Sequence, residues 1–259
     1  MTARARVAVH KFSSCDGCQL AFLNLGPALL DLAAAVDIVH FAEAGPVDPE
    51  AEVDIAFVEG SITTPEDAHR IQTVRARSHH LVTIGACATA GGLQALRNGE
   101  DLEAWLGHVY AHRDFVAALP ESTPIAEHVK VDFELWGCPI NARQVLAVTN
   151  ALLLGVTPSD EAEKVCLACK RAGAVCVMVT RGVACMGPVT RTGCGAICPR
   201  FGRDCYACYG PAEGVNTRAL TTRFEGLGLA PEDVARRLRF INNAAPAFRE
   251  AARTVTGDD

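Results

Sequence analysis

The stretch Val7-Ala8-Val9-His10-Lys11-Phe12-Ser13-Ser14-Cys15-Asp16-Gly17-Cys18-Gln19-Leu20 decides the reading of the fold. Val7 to Phe12 is a β-branched, apolar run that reads as a strand. A four-residue Cys-x-x-Cys turn follows it, and Leu20 to Ala35 has the spacing of an amphipathic helix. The same alternation continues downstream. Val36 to Phe41 and Ile55 to Glu59 read as strands, and Thr64-Pro65-Glu66-Asp67 as a helix start, with a capping hydroxyl, proline in the first turn and acids behind it. That helix should reach about Ser78, with Leu81 to Ile84 the fourth strand, a helix after Gly92, and Val131 to Trp136 the fifth strand. Asn141 then caps a helix from Ala142 to Leu154. Strands alternating with helices over this length predict an α/β fold built on a doubly wound parallel sheet.

Composition narrows the function. The chain has 259 residues, 49% of them hydrophobic, and a net charge of −6. A mildly acidic balance with mixed signs speaks against a nucleic-acid or anionic-membrane partner. The most apolar stretch, Val145 to Val156, is interrupted by Thr149 and Asn150 and is too short to cross a bilayer. The first ten residues lack an apolar export signal, so a cytoplasmic location is expected. In that reducing compartment 12 cysteines read as metal ligands or reactive thiols, not disulfides. No GxGxxG or GxxxxGK[ST] phosphate loop occurs, no histidine has metal-ligand spacing, and no constellation for nucleophilic or acid–base catalysis is visible, so no catalytic residue is assigned.

Four cysteines follow predicted strands: Cys15 and Cys18 after the first, Cys87 after the fourth and Cys138 after the fifth. Ligands of doubly wound sheets gather outside the carboxyl ends of the strands, so these four should meet. Four thiolates suit a 4Fe–4S cluster or a structural zinc; a redox dithiol explains Cys15 and Cys18 but neither of the others. The other eight, Cys166, Cys169, Cys176, Cys185, Cys194, Cys198, Cys205 and Cys208, crowd between Val165 and Tyr209, where periodicity is lost and no apolar face is long enough to build a core. Chain order divides them into two sets of four, with interleaved pairing and two structural zincs as open alternatives. This region carries seven basic residues from Lys164 onward against one acid, Asp204. Positive charge suits an anionic cluster and equally suits a solvated or partner-binding face. Helices opening at Pro231 and Pro246 should follow, with Gly257 to Asp259 frayed.

The motifs Cys15-Asp16-Gly17-Cys18-Gln19, Val58-Glu59-Gly60-Ser61-Ile62, Ile84-Gly85-Ala86-Cys87-Ala88, Gly137-Cys138-Pro139, Cys185-Met186-Gly187-Pro188-Val189-Thr190 and Cys205-Tyr206-Ala207-Cys208, in this order, resemble small subunits of nickel–iron hydrogenases. The resemblance implies a flavodoxin-like domain (1–157) followed by a small irregular iron–sulfur domain with a helical tail (158–259). It implies three 4Fe–4S clusters: proximal on Cys15, Cys18, Cys87 and Cys138, distal on Cys166, Cys169, Cys176 and Cys185, and medial on Cys194, Cys198, Cys205 and Cys208. Respiratory members have a histidine where Cys166 stands and a proline where Cys198 stands. The phrases Glu59-Gly60-Ser61-Ile62-Thr63-Thr64-Pro65 and Gly91-Gly92-Leu93-Gln94-Ala95-Leu96-Arg97-Asn98 are similar to the soluble NAD(P)-linked group, also called sulfhydrogenases. The implied partners are a large subunit carrying the nickel–iron centre, a flavin-containing diaphorase and an additional iron–sulfur subunit. Alternatives are an F420-linked hydrogenase or quinone-reductase-type subunit, and a zinc-binding scaffold. Glu59 is expected near the cluster edge of the sheet, in a hydrogen-bonding, interface-shaping or proton-path role.

Overall fold

A computed structural model describes residues 4–161 and 163–257. The expected fraying of Asp258 and Asp259 therefore lies outside the described residues, as do Met1 to Ala3 of the expected signal-free N-terminus. The first half runs β1 (Ala5–Lys11), α1 (Gly17–Leu23), α2 (Pro27–Ala35), β2 (Val36–Phe41), β3 (Val53–Glu59), α3 (Pro65–Ala76), β4 (Ser78–Ile84), α4 (Gly85–Ala90), α5 (Leu102–Val109), β5 (Phe133–Leu135) and α6 (Ala142–Leu153). All pairings are parallel and the strand order is β2-β1-β3-β4-β5. The chain therefore leaves β1 to one side for β2 and returns to the other for β3. This reversal opens a crevice beyond the ends of β1 and β3, the usual binding position in such sheets.

Both faces of the sheet are covered, which is why its strands are continuously apolar. Side chains alternate across β3. Ile55 and Phe57 join Val9, Phe22, Phe41 and Val145 in one core, while Ala56 and Val58 join Phe12, Ile71 and Leu81 in the other. The local start signals work as read. Thr64 accepts a hydrogen bond from the Asp67 amide at 3.0 Å, and Asn141 and Gln144 form a reciprocal capping box on α6.

Three local readings change. The helix expected over Leu20 to Ala35 is broken into α1 and α2, which meet at 88°, because Gly26 has φ 59° and Pro27 cannot continue the hydrogen-bond ladder. Among the described residues no single helix is long and apolar enough to cross a membrane. The helix expected after Gly92 is a short 3₁₀ turn, Leu93–Arg97, then α5, while α4 begins directly at Gly85. Strand β4 starts at Ser78, ahead of the expected Leu81.

The second half contains α7 (Val165–Arg171), α8 (Val177–Arg181), α9 (Ile197–Arg200), α10 (Thr217–Glu225), α11 (Pro231–Arg239) and α12 (Pro246–Thr256). The cysteine-rich stretch does have a core, and α10, α11 and α12 supply it: Leu220, Phe224, Val234, Leu238 and Phe248 pack with Val165, Val177, Met186 and Val189. The segment 242–244 stitches this core to the sheet half. Ala244 donates its amide to the Ala90 carbonyl at 3.1 Å, and Asn242 donates its side-chain amide to the Ala207 carbonyl at 2.5 Å.

Candidate metal centres

The carboxyl edge of the sheet brings Cys15, Cys18, Cys87 and Cys138 together. Beyond β1, Cys15 is exposed and Cys18 buried, on either side of Asp16, whose φ of 67° turns the chain into α1. Beyond β4, Cys87 lies in the first turn of α4. Beyond β5, Cys138 follows Gly137, whose carbonyl accepts the Ala86 amide at 2.7 Å and so fastens the third loop to the second. Glu59, at the end of β3 and 2% exposed, closes the set from the crevice. Its Oε1 accepts the Cys18 amide at 3.0 Å and its Oε2 the Gln19 amide at 3.2 Å, so it satisfies two of the unpaired donors at the start of α1.

Glycines make the room. A Cβ on Gly85 would stand 2.3 Å from Cys18 Sγ, and one on Gly92 2.5 Å from Cys87 Sγ. Both have positive φ, 86° and 64°, so the backbone is shaped around the sulfurs. The electrostatics point the same way. Burial pushes the Cys87 thiol up to about 12, and charge on Cys138, Cys15 and Glu59 adds to the shift. Cys18 is raised first by burial and then by Glu59, Cys87 and Cys138; Cys138 is raised by burial, Cys15 and Glu59. Four converging thiols that resist ionisation alone can become thiolates together around a cationic core.

The remaining eight form two sets. Cys166 and Cys169 project from α7, Cys176 precedes α8, and Cys185 follows it. Burial raises Cys166 to about 11, with Cys185, Cys169 and Cys176 adding to it; Cys169 is raised by burial and then by Cys176 and Cys185. In the other set, burial raises Cys198, helped by Cys194. Burial raises Cys208 to about 12, helped by Cys194, Cys138 and Cys198. Burial also raises Cys205, with Cys185 and Cys208 contributing. Cys198 and Cys205 also feel Cys185, so the eight thiols share one neighbourhood.

The sets also touch. Cys205 donates its amide to Cys185 Sγ at 3.2 Å, and a Cβ on Gly187 would lie 3.4 Å from Cys166 Sγ, 3.5 Å from Cys185 Sγ and 3.8 Å from Cys205 Cβ. On the other side Cys208 feels Cys138, and Tyr209 feels Cys194, Cys208 and Cys18. The segment 205–208 thus bridges the strand-end cysteines, through Cys208, and Cys185, through Cys205.

Two observations test what such donors can hold. Among the described residues the non-glycine residues with positive φ are Asp16, Ala196 and Ala207, and each lies between two cysteines of one loop. Such backbone is costly for an alanine and persists where the surroundings over-determine it. Among the described residues no three His, Cys, Asp or Glu side chains converge tightly enough to hold a single metal ion. Thiols of a tetrahedral zinc must close around one atom, whereas a four-iron cluster is wider and holds its thiolates further apart. Converging thiols are donors of the kind that hold a 4Fe–4S cluster. Sequence reasoning missed the spacing role of Gly85, Gly92 and Gly187, although Gly85 and Gly187 lie in cysteine-bearing motifs. It also missed Tyr209, whose hydroxyl accepts from Asn141 Nδ2 at 3.4 Å and links α6 to the cysteine-rich half.

Comparison with known proteins agrees with this geometry. Residues 15–152 match the family described as NADH ubiquinone oxidoreductase, 20 Kd subunit. The sulfhydrogenase 2 subunit delta of Pyrococcus furiosus is 32% identical over 234 residues, covering 90% of this chain and 98% of the relative. A subunit of the F420-non-reducing hydrogenase of Methanocaldococcus jannaschii is 28% identical over 242 residues, covering 82% of this chain and 84% of the relative. Among solved structures, a chain of an NAD+-reducing [NiFe]-hydrogenase in the H2-reduced state superposes with a TM-score of 0.56 at 30% identity, covering 61% of this chain and 95% of that one. The strand-end cysteines, the parallel sheet and these likenesses place the chain in the NADH ubiquinone oxidoreductase 20 kDa subunit family, as a small subunit of the nickel–iron hydrogenase type.

Proposed function

We propose that this chain relays electrons between the nickel–iron centre of a large subunit and a downstream acceptor, through three 4Fe–4S clusters. Cys15, Cys18, Cys87 and Cys138 hold the proximal cluster, Cys194, Cys198, Cys205 and Cys208 the medial one, and Cys166, Cys169, Cys176 and Cys185 the distal one. The observation that carries the reading is the continuous chain of thiol sets, in which Cys208 feels Cys138 on one side and Cys185 receives the Cys205 amide on the other. When bound, each cluster supplies a one-electron redox couple. The protein's part is to hold thiolates, exclude water and fix spacing. Burial of Cys18 and Cys205, and the packing of Trp136 against Gly210 between the first two sets, serve that purpose. The reading divides the chain near residue 157 into a flavodoxin-like sheet domain and a two-cluster domain.

For the acceptor we propose an NAD(P)-linked, flavin-containing diaphorase joined through a further iron–sulfur subunit. The likeness to an NAD+-reducing enzyme supports it, although that match leaves more than a third of this chain unaccounted for. The longer likeness to an F420-non-reducing hydrogenase favours a second reading, in which the acceptor is neither F420 nor an NAD(P)-linked flavoprotein. The test is metal and flavin content of the native complex, isolated anaerobically through a tag on this chain. About twelve irons per copy of this chain, over and above those of the partner subunits, with nickel from the large subunit, are expected. Zinc in place of iron defeats the proposal, and absence of flavin selects the second acceptor.

A further inference from the structure

Between Lys164 and Tyr209 the chain carries seven Lys or Arg and one acid, Asp204. That acid is buried, 8% exposed, and it immediately precedes the buried Cys205. A carboxylate out of water beside a thiolate is unfavourable unless a cation meets it. The cation comes from 33 residues away: Arg237, on α11, donates from Nη1 to Asp204 Oδ2 at 2.6 Å. Just beyond α11, Asn242 donates to the Ala207 carbonyl at 2.5 Å. Arg237 and Asn242 therefore fix the pair against the loop that carries Cys205 and Cys208. The charge of Asp204 reaches a further cysteine. Burial raises the Cys198 thiol first, Cys194 and Asp204 add to the rise, and Arg203 opposes it. Arg203 is exposed, so water and salt screen its charge, whereas Asp204 is shielded from both.

Reduction adds one negative charge to a group already held by thiolates, so a nearby carboxylate opposes it and a nearby guanidinium favours it. We propose that the Asp204–Arg237 ion pair sets the midpoint potential of the redox group on Cys194, Cys198, Cys205 and Cys208, with Arg237 masking a carboxylate that otherwise opposes its reduction. The proposal rests on the relay reading in one respect, that these four thiols hold a 4Fe–4S cluster. Neither residue is a ligand, and both act by charge from a fixed position. The step they bias is the uptake of one electron by the cluster, with no bond or proton changed at the pair. A loop fastener alone has no use for charge, so the two roles separate by experiment.

The test is a redox titration of the anaerobically purified complex at pH 8, followed by electron paramagnetic resonance. Cys198→Ser identifies the signal, which should change in shape or vanish in that variant alone. Arg237→Gln should lower the midpoint potential of that signal and Asp204→Asn should raise it. Each shift should change the reduced-to-oxidised ratio at a fixed potential roughly tenfold, which is about 59 mV for one electron. Arg237→Lys keeps the charge and should stay near the wild type, and the Asp204→Asn, Arg237→Gln double variant should fall between the two single ones. Iron content equal to the wild type shows that each charge variant has assembled. If Arg237→Gln loses iron, the isosteric Asp204→Asn decides alone. Single variants that shift the potential in the same direction, as a loosened and wetter loop would, overturn the proposal, and so do shifts smaller than about threefold in the ratio. Cys198→Ser leaving every signal unchanged defeats the ligand assignment of the relay reading, and the proposal with it. A signal that Cys198→Ser alters but neither charge variant moves defeats the proposal alone.

Discussion

Glu59 offers the sharpest test of how the first cysteine loop is held. Its two carboxylate oxygens each accept one buried amide, from Cys18 at 3.0 Å and Gln19 at 3.2 Å. A hydrogen bond to a charged group contributes about 1.5–3 kcal/mol net, so Glu59→Ala should destabilise the loop by roughly 3–5 kcal/mol. Glu59→Gln keeps one acceptor oxygen but turns an NH2 toward the second amide, so its cost should fall near half of that. Burial raises the Glu59 pKa while the two amides oppose the shift, so the accepting geometry, not charge alone, is the property under test. Hydrogen–deuterium exchange of the Cys18 and Gln19 amides reads the effect directly. Exchange should be fastest in Glu59→Ala, intermediate in Glu59→Gln and slow in the wild type, with the β4 amides unchanged. Equal protection in all three proteins would refute the capping role, and uniform loss of protection across the sheet would show that Glu59 supports the whole fold instead.

Three further outcomes are expected. Gly85→Ala places a Cβ 2.3 Å from Cys18 Sγ at a φ of 86°, so the purified complex should lose about four irons per copy of this chain while keeping the rest. His10 is stacked on His40 at 4.5 Å, and burial, with His40 and Arg70 adding, lowers its pKa to about 3. The unfolded chain therefore binds the extra proton between pH 6.5 and 3, so this contribution is full above pH 6.5 and is lost as pH falls. Relative to His10→Asn, the wild type should lose roughly 3 kcal/mol more stability between about pH 6.5 and 4 in parallel urea titrations. Phe224 is fully buried in the core under the cysteine-rich half, so Phe224→Ala should cost about 3–5 kcal/mol, seen as a lower unfolding midpoint.

The sequence alone determined the parts of this protein that depend on near neighbours. Alternating apolar runs set the strands, Thr64 and Asn141 set two helix starts, and the placement of Cys15, Cys18, Cys87 and Cys138 just beyond strands announced a common edge. These signals are legible because a helix cap or a strand face is decided within a few residues. The break at Gly26 and Pro27 was equally local and simply misread under a strong apolar period. Other features depended on contacts between residues far apart in the chain. Nothing near Glu59 says that it will cap a helix that begins about forty residues earlier, and nothing near Gly85 says that Cys18 will press against it. The cysteine-rich half has no apolar period of its own, because its core arrives from α10, α11 and α12. Likewise, Cys205 meets Cys185, and Cys208 comes within electrostatic reach of Cys138, only in the folded chain. Local periodicity fixes an element's type, but only the closed tertiary structure brings distant sulfurs, carboxylates and glycines to one place, because those contacts form only after the chain has folded back on itself.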